Sequence, residues 1–366
     1  MGSLSEDRRA RVILSSVAEP GDRRIGRLLA EHGAVATVEL LSSANFDPAL
    51  HARCAARLAS ADPEADLGRV EAVGGRFVIP GDLEWPSQLG DLGDAAPWAL
   101  WIRGAADLRM SALRSVAVVG ARAATSYGTH VASSIAADLA LSGWAVVSGG
   151  AFGIDAAAHH GALAAGGVTV AVLACGVDVA YPPRHDSLFE RIAADGVLVS
   201  EVPPGAVPHR TRFLIRNRLI AALTRGIVVV EAALRSGALA TAHDAARLNR
   251  PVLGVPGPVT SAMSTGVHRE LRAGALLVTN AAEVIEAVGE LGIDLAPEPY
   301  ESSTPRDRLD LLSRRVLDAV PTKRGLSIDS IARAAGVAPA EATTALALLE
   351  LGDFVRFGES GWVLRR

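Results

Sequence analysis

Cysteine is nearly missing from this chain. Cys54 and Cys175 are the two it has, far apart and without metal-ligand spacing. That excludes a disulfide-stapled fold, points to a reducing compartment and leaves no metal site to expect. Lysine occurs once, at Lys323, so arginine carries nearly all the positive charge. A GC-rich genome accounts for that choice, and for the excess of alanine and glycine. It still has a physical consequence, because a guanidinium fork grips phosphates at two points and stacks on bases. No apolar run is long enough to span a bilayer. The most hydrophobic stretch, Val168 to Ala174, is closed early by Gly176, which excludes a membrane anchor within it. Glu6, Asp7, Arg8, Arg9 and Arg11 precede any apolar run, so no secretory signal is expected and a cytoplasmic location is. A positive balance is lacking too. The formal net charge is −4, so a nucleic-acid ligand would need a local patch rather than the average field.

What is present is globular. Hydrophobic residues make up 49% and charged residues 21%, and 366 residues suffice for two or three domains. Residues 1–70 read as short helices separated by glycine, in the manner of a SAM or helix-hairpin-helix bundle. One helix is expected to end at Gly33, another to begin at Val38, and a third to cover Pro48 to Ala59. Arg76 to Pro80 is a short strand. Gly81 to Gly104 reads as a loop-rich connector whose Trp85, Trp98 and Trp101 plug a sheet edge.

From there to residue 290, short β-branched runs end in glycine and alternate with amphipathic segments. This pattern predicts an α/β fold, a doubly wound and mostly parallel sheet whose strands are buried on both faces. Expected strands are Val116–Val119, Trp144–Val147, Val168–Leu173, Val197–Ser200, Ile227–Val230, Val252–Val255 and Leu276–Val278. A proline- and serine-rich linker is expected over 291–305. Residues 306–366 then read as three helices and a hairpin, a winged helix. Its third helix, Ala340–Leu351, carries Glu341 and Glu350 and no basic residue, so a protein-contact or auxiliary role is expected of it instead of DNA reading.

Four stretches can carry chemistry. Gly120-Ala-Arg122 follows the first core strand, where a small-residue turn lets backbone N–H groups approach an anion and Arg122 adds its fork. Ser148-Gly149-Gly150 opens Ser-Gly-Gly-Ala-Phe-Gly-Ile-Asp155, where a ligand can lie against main chain without a Cβ. Asp155 there is expected to cap a helix, and His159 and His160 are expected to be structural. Val202 to Val230 holds Arg210, Arg212, Arg216, Arg218 and Arg225 without one Asp or Glu, and Phe213 lies among them. Arginines that track phosphates beside a ring that stacks on a base are how single strands are held. Glu231 and the loop Ser236-Gly237 to Thr241 form a phosphate-friendly turn. No Ser–His–Asp order or carboxylate pair suggests catalysis.

At these residues the chain resembles the DNA-processing protein A family (DprA, also called Smf), over about 80–285. The motifs are Val-Ala-Val-Val-Gly120-Ala-Arg122 with Tyr127-Gly128, the Ser148–Asp155 stretch with His159, Gly176-Val-Asp178 with Tyr181-Pro182, Ser200-Glu201, Arg216-Asn217-Arg218, Ser236-Gly237 and Pro256-Gly257. The resemblance implies an extended Rossmann-like domain that binds single-stranded DNA, forms a homodimer and loads RecA recombinase in natural transformation. It places the phosphate-binding arginine at Arg122, the basic residue and aromatic at Arg210 and Phe213, and the Arg-Asn-Arg motif at Arg216, Asn217 and Arg218. The chain departs from the family at Leu214-Ile215, where proline usually follows the phenylalanine, in the Ser236–Thr241 loop, and around Val267-His268. The expectation is a non-enzymatic binder without cofactor or metal. The alternative is a Rossmann-like nucleotide N-glycosidic hydrolase of the lysine-decarboxylase-like group, motivated by Glu231, although that group's Pro-Gly-Gly-x-Gly-Thr loop is absent.

Overall fold

The valine-rich runs become one nine-stranded sheet: β1 Gly75–Val78, β2 Leu100–Arg103, β3 Ser115–Val119, β4 Ala145–Ser148, β5 Thr169–Val172, β6 Val197–Ser200, β7 Ile227–Val229, β8 Val252–Gly254 and β9 Leu276–Leu277. The computed structural model describes residues 5–290, 292–297 and 304–365. Residues 291 and 298–303 of the expected linker lie outside these. The chain divides into two units, Met1–Pro297 and Glu298–Arg366.

The strand order is β1-β2-β6-β5-β4-β3-β7-β8-β9. Strands β3 to β9 pair in parallel, and β2 joins β6 antiparallel. Parallel strands need crossovers, and these are the helices α6 Ser126–Leu141, α7 Ile154–Ala164, α8 Asp186–Asp195, α9 Arg210–Leu223, α10 Gly237–Arg247 and α11 Thr265–Arg272, with α5 Leu108–Leu113 ahead of β3 and α12 Ala281–Val288 after β9. Alternate residues of each strand face opposite layers. Ala117, Val119, Val147 and Val172 pack with Leu219 and Ile220 of α9 and Leu239 of α10. Val116, Val118 and Val146 pack with Ile135 and Leu139 of α6 and Ala158 of α7. Covering both faces is why these strands are apolar throughout rather than alternating.

The expected loop over 81–104 is corrected by β2. Leu100, Trp101 and Ile102 are fully buried, wedged between β1 and β6. Four residues beside Pro97 are too few to show a strand period. Trp98 and Trp101 do plug this end of the sheet. Trp101 meets Phe77 with ring centroids 4.5 Å apart, and its Nε1–H donates to Ser15 Oγ at 3.3 Å.

Helices α1 Glu6–Val17, α2 Arg23–Ser42, α3 Pro48–Ala59 and α4 Pro63–Ala72 pack on that end. Val12, Leu14, Ile25, Leu41 and Leu50 share a core with Phe77, Trp101 and Leu198. Gly33 ends a helical segment as expected, with non-helical backbone at φ 79° and ψ 173°; the second segment of α2 follows directly across this kink and runs to Ser42, starting ahead of the expected Val38. Helix α1 was hidden by its charged start, Glu6 to Arg11, although Val12, Leu14 and Val17 are buried.

In the second unit, α13 Leu311–Ala319, α14 Ile328–Ala335 and α15 Pro339–Leu351 precede the hairpin β10 Val355–Gly358 and β11 Gly361–Leu364. Val316, Leu317, Ile331, Leu346, Leu349 and Val355 form its core. Among the described residues, no single helix is long and apolar enough to cross a membrane.

Candidate nucleic-acid interface

From β3 the chain crosses through α6 to β4 on one side, and from β7 through α10 to β8 on the other. The turns that leave β3 and β7 therefore part, and a crevice opens between their carboxyl ends. Here lies a cleft of about 810 Å³, lined by Gly120, Ala121 and Arg122 after β3, Ala151 from the turn after β4, Asp155 of α7, Tyr181, the first turns of α9, and Ala233 and Arg235 to Ala238 after β7.

Gly120 is required by close approach: a Cβ there would fall 2.5 Å from Ile154 Cγ1 and 2.9 Å from the Glu231 carbonyl oxygen. Arg122 is exposed, and its guanidinium carbon lies 4.9 Å from the centre of the Phe213 ring. Phe213 in turn meets Tyr181, with centroids 5.7 Å apart. Arg210 opens α9 and is exposed in the cleft. Arg216, further along the helix, is buried; its Nη1 donates to the Val172 carbonyl at 2.5 Å, and its Nε has no partner among the described residues. Asn217 lines the cleft and its Nδ2 donates to the Gly237 carbonyl at 3.4 Å. Ser236 caps α10, accepting from the Ala238 N–H at 3.4 Å, and Gly237 follows it into the cleft wall.

Asp155 was expected to cap its helix and does not; Gly153 stands at the cap position. Its carboxylate reaches back to accept from the N–H groups of Gly149 at 3.1 Å and Ala151 at 3.3 Å. Burial pushes its pKa up, against the pull of Arg216. Burial lowers Arg216 to about 10, with Asp155 opposing, so the guanidinium stays cationic at neutral pH. Among the described residues the lining therefore holds four arginines, Arg122, Arg210, Arg216 and Arg235, against a single carboxylate, Asp155.

Other expected residues stand outside the lining. The Ser148 hydroxyl donates to the Val118 carbonyl at 2.7 Å. Gly149 lies against the Arg216 guanidinium, and Gly150, at φ 69°, packs on Phe189. Arg218 turns the opposite way from Arg216, and its Nη1 and Nη2 donate to the two Glu201 carboxylate oxygens at 2.5 and 2.7 Å. Arg212 is held by Glu19 at 3.1 and 3.2 Å, and Arg225 lies over Trp144. Glu231 is buried; its oxygens accept from the Thr125 N–H at 2.9 Å and hydroxyl at 2.6 Å, which fixes the start of α6. His159 is structural, bound through Nδ1 to Thr169 Oγ1 at 2.7 Å. Arg235 and Tyr181 are among the lining residues that were not singled out for the site. Arg235 directly precedes Ser236-Gly237, beyond the acid-free run that drew attention.

The fold and site together define a doubly wound α/β protein with an arginine-lined cleft at its switch point. The family model for DNA recombination-mediator protein A matches residues 76–289. A putative DNA processing protein DprA of Mycobacterium tuberculosis (strain ATCC 25618 / H37Rv) is 44% identical over 371 residues, covering 98% of this chain and 94% of that protein. Protein Smf of Escherichia coli (strain K12) is 38% identical over 296 residues, covering 79% of this chain and 78% of that protein. The structure of DprA from Streptococcus pneumoniae superposes with a TM-score of 0.66 at 29% identity, over 79% of this chain and 99% of that one. DprA from Helicobacter pylori, solved for its single-stranded DNA binding mode, gives a TM-score of 0.52 at 29% identity, over 58% and 94%. This chain belongs to the DNA recombination-mediator protein A family.

Proposed function

We propose that this chain binds single-stranded DNA in the cleft between β3 and β7, and loads the bound strand with RecA recombinase during DNA processing or natural transformation. The observation that carries the reading is the cleft's charge and ring content. Four arginines face one carboxylate, the Arg122 guanidinium lies over the Phe213 ring, and Tyr181 meets that ring at a tilt. Cations neutralise phosphates while a π-face takes an unpaired base, a combination suited to single strands. The orphaned Nε–H of Arg216 supplies a buried donor for a phosphate oxygen or a water. The single-stranded DNA binding described for the Helicobacter pylori relative supports the same ligand, and the family's description as a recombination mediator supports the RecA partner.

In this reading the protein works in the cytoplasm as a homodimer and is not an enzyme. Glu231, the acid that a nucleotide hydrolase would need, has both oxygens engaged by Thr125. The second unit acts as an auxiliary winged-helix element, because α15 carries Glu341 and Glu350 and no cation. The test is fluorescence anisotropy with an oligothymidine and a matched duplex across a salt series. Single-strand preference with a log–log slope of about −0.7 per phosphate contacted is expected. Equal affinity for both, or no binding at low salt, would sink the reading.

A further inference from the structure

The loop between β4 and α7 presents an aromatic residue that the cleft itself does not use. Phe152 is 42% exposed, and its ring meets His185 edge-on with centroids 4.6 Å apart. His185 is buried, meets Phe189 behind it at 6.0 Å, and lies 3.0 Å through Nδ1 from the Gly150 carbonyl oxygen. The loop is held rigidly. Gly149 and Ala151 donate their N–H groups to Asp155, and Gly150 and Gly153 both adopt positive φ. Gly153 sits so close to the β3 turn that a Cβ would fall 2.3 Å from the Ala121 carbonyl oxygen and 2.5 Å from that of Arg122. Phe152 thus stands between Ala151, which lines the cleft, and Gly153, which abuts Arg122.

Tyr181, also 42% exposed, borders the same cleft beside Phe213. Exposed rings therefore stand both in the cleft lining, at Tyr181, and on the loop directly after the lining residue Ala151, at Phe152. A preorganised apolar ring binds a planar base without an ordering penalty.

We infer that Phe152, backed by His185, is a second base-stacking subsite for an unpaired nucleotide as it leaves the cleft, an inference that rests on the single-stranded DNA reading above. The subsite takes any base, because stacking on a ring face reads no base edge.

The test is anisotropy with oligothymidines graded in length, on the full chain. Phe152→Ala is expected to match the wild type on the shortest oligonucleotide that binds, and to bind longer ones on the order of tenfold more weakly. Phe152→Tyr should restore wild-type affinity. An abasic site placed at the first position beyond the shortest bound length should weaken the wild type by the same factor and leave Phe152→Ala unaffected. Phe152→Trp should change its fluorescence with long oligonucleotides and not with the shortest. An equal loss at every length would show a distorted loop and overturn the inference, as would identical affinity at every length. Reduced RecA loading with unchanged DNA affinity would assign Phe152 to a protein contact instead. A wild type that binds no oligonucleotide would bring down the single-stranded DNA reading itself, whereas a wild type that binds beside an indifferent Phe152→Ala removes only the subsite.

Discussion

The guanidinium of Arg122 lies over the face of Phe213, 4.9 Å from its centre, although 90 residues of chain separate the two. The turn after β3 and the first turn of α9 meet there. Arg122→Ala and Phe213→Ala are each expected to weaken oligothymidine binding by about 1–3 kcal/mol, the range for losing one stacked base or a charged contact. The double variant should lose less than the sum, by roughly 0.5–1 kcal/mol, because each single change already removes the cation–ring contact. Strict additivity in the anisotropy cycle would mean that the two act on the ligand separately.

Arg210 and Arg212 are two residues apart on α9 and differ in what they face. Arg210 lines the cleft, while Arg212 is committed to Glu19, whose carboxyl Arg212, Arg57 and His209 hold below its ordinary range despite burial. Arg210→Ala should reduce the log–log salt slope by about 0.7, one phosphate contact. Arg212→Ala should leave it unchanged. Equal slope losses would place both side chains on DNA.

That contrast shows where the sequence was legible and where it was not. The strands could be read because both faces of a parallel sheet are covered, leaving unbroken apolar runs such as Val116–Val119. The cleft's position could be read because Gly120-Ala-Arg122 and Arg210–Phe213 carry its charge in short stretches. The sides of the arginines could not. Val202 to Val230 is free of acids along the chain, but the carboxylates that neutralise it come from elsewhere: Glu19 lies 193 residues from Arg212, and Glu201 lies just before the stretch begins. Arg216 and Arg218 stand two apart in one motif, so helical geometry sends them to different sides, one into the cleft and one onto the framework. Strand β2 was lost because Trp101 and its neighbours contribute four residues of pattern and no more.

Arg218 and Glu201 form a bidentate pair whose side chains are only 11% and 7% exposed. Arg218→Ala leaves a buried carboxylate without its partner, and is expected to lower unfolding free energy by about 3–5 kcal/mol in urea. Arg218→Met with Glu201→Leu should recover most of that loss. Oligothymidine affinity per folded molecule should hold in both. A large affinity loss in the stable double variant would return Arg218 to the DNA site.

His159 gives the fold an acid-sensitive point. Burial lowers its pKa from 6.5 to about 3, with His160, His185 and Arg216 adding to the shift. The unfolded chain therefore binds this proton at higher pH than the folded one. Its contribution to stability is full above pH 6.5 and is lost as pH falls toward 3, by at most about 1.4 kcal/mol per pH unit. His159→Gln, which can still hydrogen-bond Thr169, should show a correspondingly shallower decline between pH 6.5 and 4.5 in urea titrations. Parallel declines in the two proteins would locate the acid sensitivity elsewhere.

Gly149 tests whether Arg216 must stay where it is. A Cβ on Gly149 would come 2.1 Å from Arg216 Nη1 and 2.6 Å from Cζ, and the guanidinium is buried and bound to the Val172 carbonyl. Gly149 does not need a positive φ, so its backbone accepts alanine and the nearest conflict is with Arg216. Gly149→Ala should therefore cost about 1–3 kcal/mol of stability through overpacking. It should also weaken oligothymidine binding on the order of tenfold, as the displaced cation leaves the cleft floor. In an Arg216→Ala background the same substitution should have little further effect on either quantity, because the space is already vacant. If Gly149→Ala instead weakened DNA binding equally with and without Arg216, the glycine would be contacting the strand through its own main chain, and the turn after β4 would be part of the DNA surface and not only its support.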